Sequence, residues 1–83
     1  QKYFVAEEAG IYRFYLGSDD GSRLLIGEDV LIDNDGLHAY QEISGEIALA
    51  PGPHFLTVEF FERSSVERLE LWLELPSGQR IRL

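Results

Sequence analysis

Hydrophobic and polar residues alternate along most of this chain, and turn-forming residues interrupt the alternation at short intervals. In the second run, Tyr12, Phe14 and Leu16 share one face and Arg13 occupies the other, so the first three are expected in the core. Short alternating runs bounded by Gly, Pro, Asp and Ser are typical of all-β domains. The predicted strands cover residues 3–5, 11–16, 23–26, 30–32, 42–49, 55–62, 67–75 and 80–83.

These strands predict an all-β fold, an antiparallel two-sheet β-sandwich of about eight short strands with a jelly-roll-like arrangement. A second sheet is required because a single sheet would leave apolar rows, such as Leu69, Leu71, Leu73 and Leu75, facing water. The chain has 83 residues, a length that predicts one domain over residues 1–83. Residues 3–5 and 80–83 are expected at open sheet edges, which can pair with another chain.

Composition narrows the function classes. The net charge is −8, which argues against nucleic acid and against anionic membranes as partners. No apolar run reaches the roughly 20 residues that span a bilayer, so no membrane insertion is expected. The absence of cysteine excludes disulfides, thiolate catalysis and Cys-based zinc sites.

The sequence offers no candidate catalytic residue. His38 and His54 both lie next to turns and are interpreted as surface residues. A Gly-flanked nucleophile elbow and a Gly-rich phosphate loop are both missing. Residues 33–36 (DNDG) resemble an EF-hand opening only superficially, since the glycine comes too early, and are interpreted as a turn. The chain is therefore predicted not to be an enzyme.

The most informative feature is the acidic corner, Ser18-Asp19-Asp20-Gly21, within a predicted loop over residues 17–22. Adjacent carboxylates repel each other, and a hard cation bound through oxygen would offset that repulsion. Both side chains reach one ion only if the backbone is unusual, for instance with a cis bond between them. Spacing alone leaves two interpretations open: an ordinary turn with solvated acids, or a calcium site.

Several motifs together resemble the anthrax protective-antigen N-terminal domain family, the "PA-fourteen" β-sandwich. The strongest is GIYRFYLGSDDGSRL at residues 10–24. It is followed in the family's order and spacing by LIDNDGLH at 31–38, GEIAL at 45–49, PGPHF at 51–55, VEFFE at 58–62, LW at 71–72 and PSG at 76–78. The resemblance covers nearly the whole chain and implies the sandwich fold. The family includes toxins, glycosidases, adhesins and yeast flocculins, so the fold serves several functions.

In the calcium-dependent lectin members, an Asp-Asp pair with a cis bond forms the first calcium-binding loop. That pair corresponds here to Asp19 and Asp20. A second loop supplies an Asn side chain and main-chain carbonyls. The resemblance assigns the Asn position to Glu62 and the carbonyls to Ser64 and Val66. Glu62 in place of Asn adds a third negative charge. Val66 stands where sugar-binding flocculins often carry an aromatic residue.

The resemblance implies a carbohydrate-binding or adhesion module, extracellular or at the cell surface, with calcium as cofactor and a glycan or cell-surface polysaccharide as partner. Asp19, Asp20, Arg63 and Ser65 are the expected ligand-binding residues. The alternative is a structural or assembly module without sugar binding, such as a filament subunit or an accessory domain of a larger secreted protein. It would form a homo-oligomer or filament through the sheet edges. Outward aromatic residues, such as Tyr15, Phe61 and Trp72, would be available to such an interface.

Overall fold

The computed structural model describes residues 2–19, 21–34, 39–61 and 68–83. Within these residues the chain is all-β, and eight strands form two four-stranded antiparallel sheets that pack face to face. The strands are β1 (Lys2–Ala6), β2 (Gly10–Asp19), β3 (Gly21–Ile26), β4 (Asp29–Asn34), β5 (Gln41–Leu49), β6 (Gly52–Phe61), β7 (Arg68–Glu74) and β8 (Arg80–Arg82). Their order is β1-β6-β3-β4 in one sheet and β5-β2-β7-β8 in the other. The predicted antiparallel sandwich is confirmed.

The core is built from the inward rows of the alternating strands. Tyr12, Phe14 and Leu16 of β2 are all 1% exposed or less, as the alternation predicts. Leu24 of β3 and Leu73 of β7 are buried in the same cluster. Burial of a large apolar side chain contributes about 1.5–3 kcal/mol, so these rows fix which face of each strand points inward.

The turn predictions were too long at two places. Gly17 and Ser18 were expected in a loop, but β2 continues through both to Asp19. Gly21 already belongs to β3. Likewise, β4 includes Asp33 and Asn34, which were interpreted as the start of a turn. In both places ladder pairing with neighbouring strands overrides the local turn preference of Gly, Asp and Asn.

The predicted inward row of β7 is partly wrong. Leu71 and Leu73 are buried, but Leu69 is 39% exposed. Leu69 pairs with Ser18, beyond Leu16, the last apolar residue in the inward row of β2, so little core remains for it to cover. Residues 62 and 67, which the sequence assigned to strands, lie outside the described residues.

The two sides of the sandwich differ. On one side β4 and β5 pack together: a Cβ on Gly45 would lie 3.1 Å from the side chains of both Leu31 and Ile32. On the other side β1 and β8 end their sheets, as predicted for open edges. A cleft separates these two strands, and it is lined by Phe4 and Ile81, among others. The described residues contain no helix of the length and apolarity that crossing a membrane requires.

Candidate functional site: the acidic corner

The acidic corner lies where the chain passes from one sheet to the other. β2 ends at Asp19 in the second sheet and β3 begins at Gly21 in the first, so the single residue Asp20 joins the two layers. Asp20 itself lies outside the described residues. A connection this short holds the Asp19 backbone at the rim of the sandwich.

Strand pairing brings a second segment of the chain to the same rim. Phe61, the last residue of β6, pairs with Gly21, and Arg68, the first residue of β7, pairs with Asp19. The two strand ends that residues 62–67 connect therefore flank the acidic corner on both sides. The sequence-predicted residues Glu62, Arg63, Ser64, Ser65 and Val66 all belong to this connection and lie outside the described residues.

A buried polar cluster lies directly beneath the corner. Ser18, Ser22 and Asn34 are each 1% exposed or less. The two serine hydroxyls are 2.6 Å apart. Asn34 Nδ2 donates to Ser18 Oγ (3.2 Å) and to the main-chain oxygen of Gln41 (2.8 Å). Since buried polar groups are costly unless paired, these bonds tie β2, β3, β4 and β5 together at this end of the sandwich.

Sequence reasoning missed this cluster, although the signal was present. Ser18 continues the inward row of Leu16, Ser22 precedes the inward residue Leu24 by two positions, and Asn34 follows Ile32 by two. In a strand, positions separated by two point to the same face. Each polar residue thus extends an apolar row, and the three rows converge at the corner.

The Asp19 carboxylate forms no ion pair and no side-chain hydrogen bond with any residue in the described part of the chain. Its cross-strand neighbour Arg68 is engaged elsewhere. The Arg68 guanidinium contacts a carboxylate oxygen of Glu70 at 2.7 Å and stacks over the Tyr40 ring, 4.1 Å from its centroid. Asp19 is therefore a partly exposed carboxylate at the rim whose nearest cationic cross-strand neighbour is engaged by Glu70.

Glu70 is the acceptor that holds Arg68. The Trp72 indole N–H donates to Glu70 Oε1 at 3.2 Å, and this bond, followed by the one from Arg68, lowers the pKa of Glu70. The same contact with Glu70 raises the pKa of Arg68. Burial, and then the charge of Glu70, raise the pKa of Tyr40. Glu70 therefore stays ionised and Arg68 stays charged over the neutral pH range.

Tyr40 fits beside the corner because β2 has a glycine there. A Cβ on Gly17 would lie 2.1 Å from the Tyr40 hydroxyl, closer than any real contact. The absent side chain lets the ring lie against β2, where Arg68 covers it. Gly17 therefore serves close approach of a side chain, and not the loop that the sequence suggested.

Further along the same outer face, arginine side chains cover aromatic rings. Arg80 lies 4.2 Å from the centroid of the Tyr15 ring and 5.1 Å from that of Trp72. Its guanidinium also donates to Glu42 Oε2 at 3.3 Å. Tyr15 and Trp72 do lie on the outer face, as predicted, but the stacked guanidinium restricts access to both rings. The side chain of Phe61, the third aromatic residue predicted to face outward, lies outside the described part of the structure.

The described residues alone do not complete a metal site, since among them no three acids or histidines come together. What they provide is one carboxylate, Asp19, next to the position of Asp20 and between the strand ends that lead to Glu62. Carboxylate, hydroxyl and main-chain oxygens are the donors that calcium prefers. The donor chemistry of the predicted set therefore fits calcium.

The family model of the PA14 domain matches the chain over residues 2–81. No curated protein and no solved structure matches the chain. The matched span covers the sandwich from β1 into β8 and includes the acidic corner and the buried polar cluster beneath it. This chain belongs to the PA14 domain family.

Proposed function

We propose that this PA14 domain is a carbohydrate-binding or adhesion module, extracellular or at the cell surface, whose acidic corner holds calcium. PA14 domains are in general binding modules of this type and occur in secreted or surface proteins. The observation that carries the proposal is the pairing of Gly21 with Phe61 and of Asp19 with Arg68. It means that the two segments expected to supply ligands start from the same rim.

Asp19 and Asp20 would hold the ion from one side, and Glu62 with the main-chain oxygens of Ser64 and Val66 from the other. Calcium, when bound, supplies open coordination positions for two neighbouring sugar hydroxyls. Arg63 and Ser65, on the same connection, would donate hydrogen bonds to the glycan. The net charge of −8 supports the proposal, because it attracts a divalent cation towards the surface.

The tie between Arg68 and Glu70 has a definite role in this proposal. Arg68 is the cationic neighbour best placed by register to neutralise Asp19. An ion pair between them would compete with calcium for the same carboxylate. Glu70 and Tyr40 hold the guanidinium away, so Asp19 keeps its charge available for the ion. Binding, and not catalysis, is the function that this arrangement supports.

Calorimetric titration with calcium tests the proposal. The native chain is expected to bind one ion with a Kd of roughly 10⁻⁴–10⁻³ M, the range of extracellular modules. Asp19→Asn should weaken binding about tenfold or more, because calcium affinity depends on the number and charge of the ligands. Asp29→Asn removes the same charge from an exposed position at the start of β4 and should leave calcium affinity unchanged. Equal affinity in the two variants would remove the acidic corner from the proposal.

Glycan binding is tested separately on an array of neutral and acidic glycans. Binding should appear with calcium, disappear with a chelator and be lost in Asp19→Asn but not in Asp29→Asn. A glycan signal that persists in the chelator would refute the role of calcium but leave sugar binding intact. Calcium binding with no glycan signal at millimolar glycan would refute the sugar half alone.

A further inference from the structure

On the side of the sandwich opposite the contact between β4 and β5, a cleft of about 640 Å³ lies between β1 and β8. We name it the edge cleft. This volume is within the range of binding pockets, roughly 300–1,000 Å³. Its walls come from both sheets and combine apolar side chains with the polar groups of the turn after β1 and of the segment before β8. The lining residues are Phe4, Val5, Tyr12, Leu75, Pro76 and Ile81, with Glu7, Glu8 and Gln79.

Both strands that border the edge cleft have a free edge. Among the described strands, β1 pairs only with β6 and β8 only with β7. A free edge presents unpaired backbone N–H and C=O groups, which an added strand satisfies. Apolar surface is also uncovered here, since Val5 of β1, which lines the cleft, is 62% exposed. The complement to such a site is an extended segment with apolar side chains at alternate positions.

The rim of the edge cleft adds a charge requirement. Glu7 and Glu8 line it where β1 ends. The Glu8 main-chain oxygen accepts a hydrogen bond from the Tyr12 hydroxyl at 2.7 Å, and Tyr12 in turn contacts Phe4 edge-on, with centroids 5.6 Å apart. These contacts fix the acidic turn against the apolar wall. A partner therefore meets negative charge at one end of the cleft.

We propose that the edge cleft binds an extended segment of another polypeptide, apolar at alternate positions and carrying Lys or Arg at the end that reaches Glu7 and Glu8. The segment adds a strand to the edge of β1, and its apolar side chains enter the cleft between the sheets. A segment of five residues matches the length of β1. The rim carboxylates select basic over acidic segments through charge complementarity.

A second copy of this chain is a poorer occupant. It would bring another −8 of net charge to the interface, and like charges oppose close approach. The two arginines of β8, the other strand that borders the cleft, are already engaged on the outer face. Arg80 stacks on Tyr15 and Arg82 lies over Trp72.

This proposal goes beyond the proposed function and does not depend on it. The acidic corner is at the end of β2, whereas Glu7 and Glu8 precede its first residue, Gly10. Ten residues of strand at about 3.3 Å each separate the two sites by roughly 30 Å. Peptide binding can therefore be measured in the presence of a chelator, so that failure of one proposal leaves the other intact.

The test uses fluorescence anisotropy with labelled peptides of about seven residues. One peptide alternates Val and Thr and carries lysines at one end. It is made in two forms, with the lysines at the N-terminus or at the C-terminus. A matched peptide carries glutamates in place of the lysines. The better lysine peptide is expected to bind with a Kd of about 10–100 μM. The glutamate peptide should bind at least about tenfold more weakly. The double variant Glu7→Gln/Glu8→Gln should reduce this preference to less than about threefold.

A cleft-filling variant locates the site. Ile81→Phe should weaken the lysine peptide about tenfold, because the larger ring occupies the space between β1 and β8. Ile11→Phe, the matched control on the exposed outer face of β2, should bind as the native chain does. The charge variants keep the test decisive if Ile81→Phe does not fold.

Three results would overturn the proposal. These are no binding of either lysine peptide at about 1 mM, equal affinity for the lysine and glutamate peptides, and native affinity in a folded Ile81→Phe. Sedimentation supplies a fourth outcome. A dimer that Ile81→Phe abolishes would assign the edge cleft to a second copy and refute the basic partner.

Discussion

At the residue scale, two sets of polar contacts position the groups of the acidic corner. Beneath it, Asn34 links β2 to the start of β5 through Ser18 and Gln41. Beside it, Glu70 holds Arg68. The first set of contacts fixes the backbone at Asp19. The second keeps the Arg68 guanidinium away from the Asp19 carboxylate. Both can be tested one residue at a time without any ligand.

Asn34→Ala is expected to lower the free energy of unfolding by about 1–3 kcal/mol, because it leaves buried polar groups without their donor. Asp29→Ala, an exposed change in the same strand, should stay within about 0.5 kcal/mol of the native chain. Urea unfolding followed by tryptophan fluorescence measures both. A loss in Asn34→Ala no larger than that of the control would mean that the cluster does not stabilise the corner.

Glu70 makes the stability of this end dependent on pH. The Trp72 indole and Arg68 lower the pKa of Glu70, so its contribution is complete above the unfolded value of about 4.3. That contribution is lost as the pH falls through the lower folded pKa. The stability gap between the native chain and Glu70→Gln should therefore be constant above about pH 6 and close below about pH 4. Urea midpoints across this range measure it, and a gap that does not change with pH would contradict the assigned contacts.

At the element scale, the centres of the strands were predictable and their ends were not. The inward row Tyr12, Phe14 and Leu16 follows from alternation alone, because the hydrophobic effect acts on every second residue of a strand. The end of β2 does not, since Ser18 and Asp19 look like turn residues until their partners on β5 and β7 are known. Those partners are distant in sequence, so no local pattern reports them.

Gly45 shows how packing between elements can depend on a missing side chain. It lies in the inward row of β5, where a Cβ would be 3.1 Å from the Leu31 and Ile32 side chains and 3.2 Å from the Leu31 main-chain oxygen. Gly45→Ala should therefore destabilise the domain by about 1–3 kcal/mol, as overpacking does. Ser44→Ala, on the exposed face of the same strand, should be nearly neutral in urea unfolding. An equally mild Gly45→Ala would show that β4 and β5 separate easily.

At the scale of the whole molecule, the sequence predicted more of the fold than of the site. The sandwich, the core rows and the edge positions of β1 and β8 follow from periodicity and turn spacing, and the PA14 family match agrees with them. The candidate calcium ligands come from the family resemblance, and of these Asp19 alone lies in the described part of the chain. The polar cluster beneath it and the tie between Arg68 and Glu70 depend on strand register, which requires the structure.

A site-resolved NMR titration with calcium tests whether the acidic corner is a calcium site. If calcium binds there, saturable amide shifts are expected at Asp19 and Gly21, extending to Phe61 and Arg68, the two paired strand ends. Glu7 and Glu8, at the opposite end of β2, should not shift. A calcium site at the acidic corner is ruled out if no amide shifts at about 10 mM calcium, well above the Kd of extracellular sites, or if the largest shifts fall at Glu7 and Glu8.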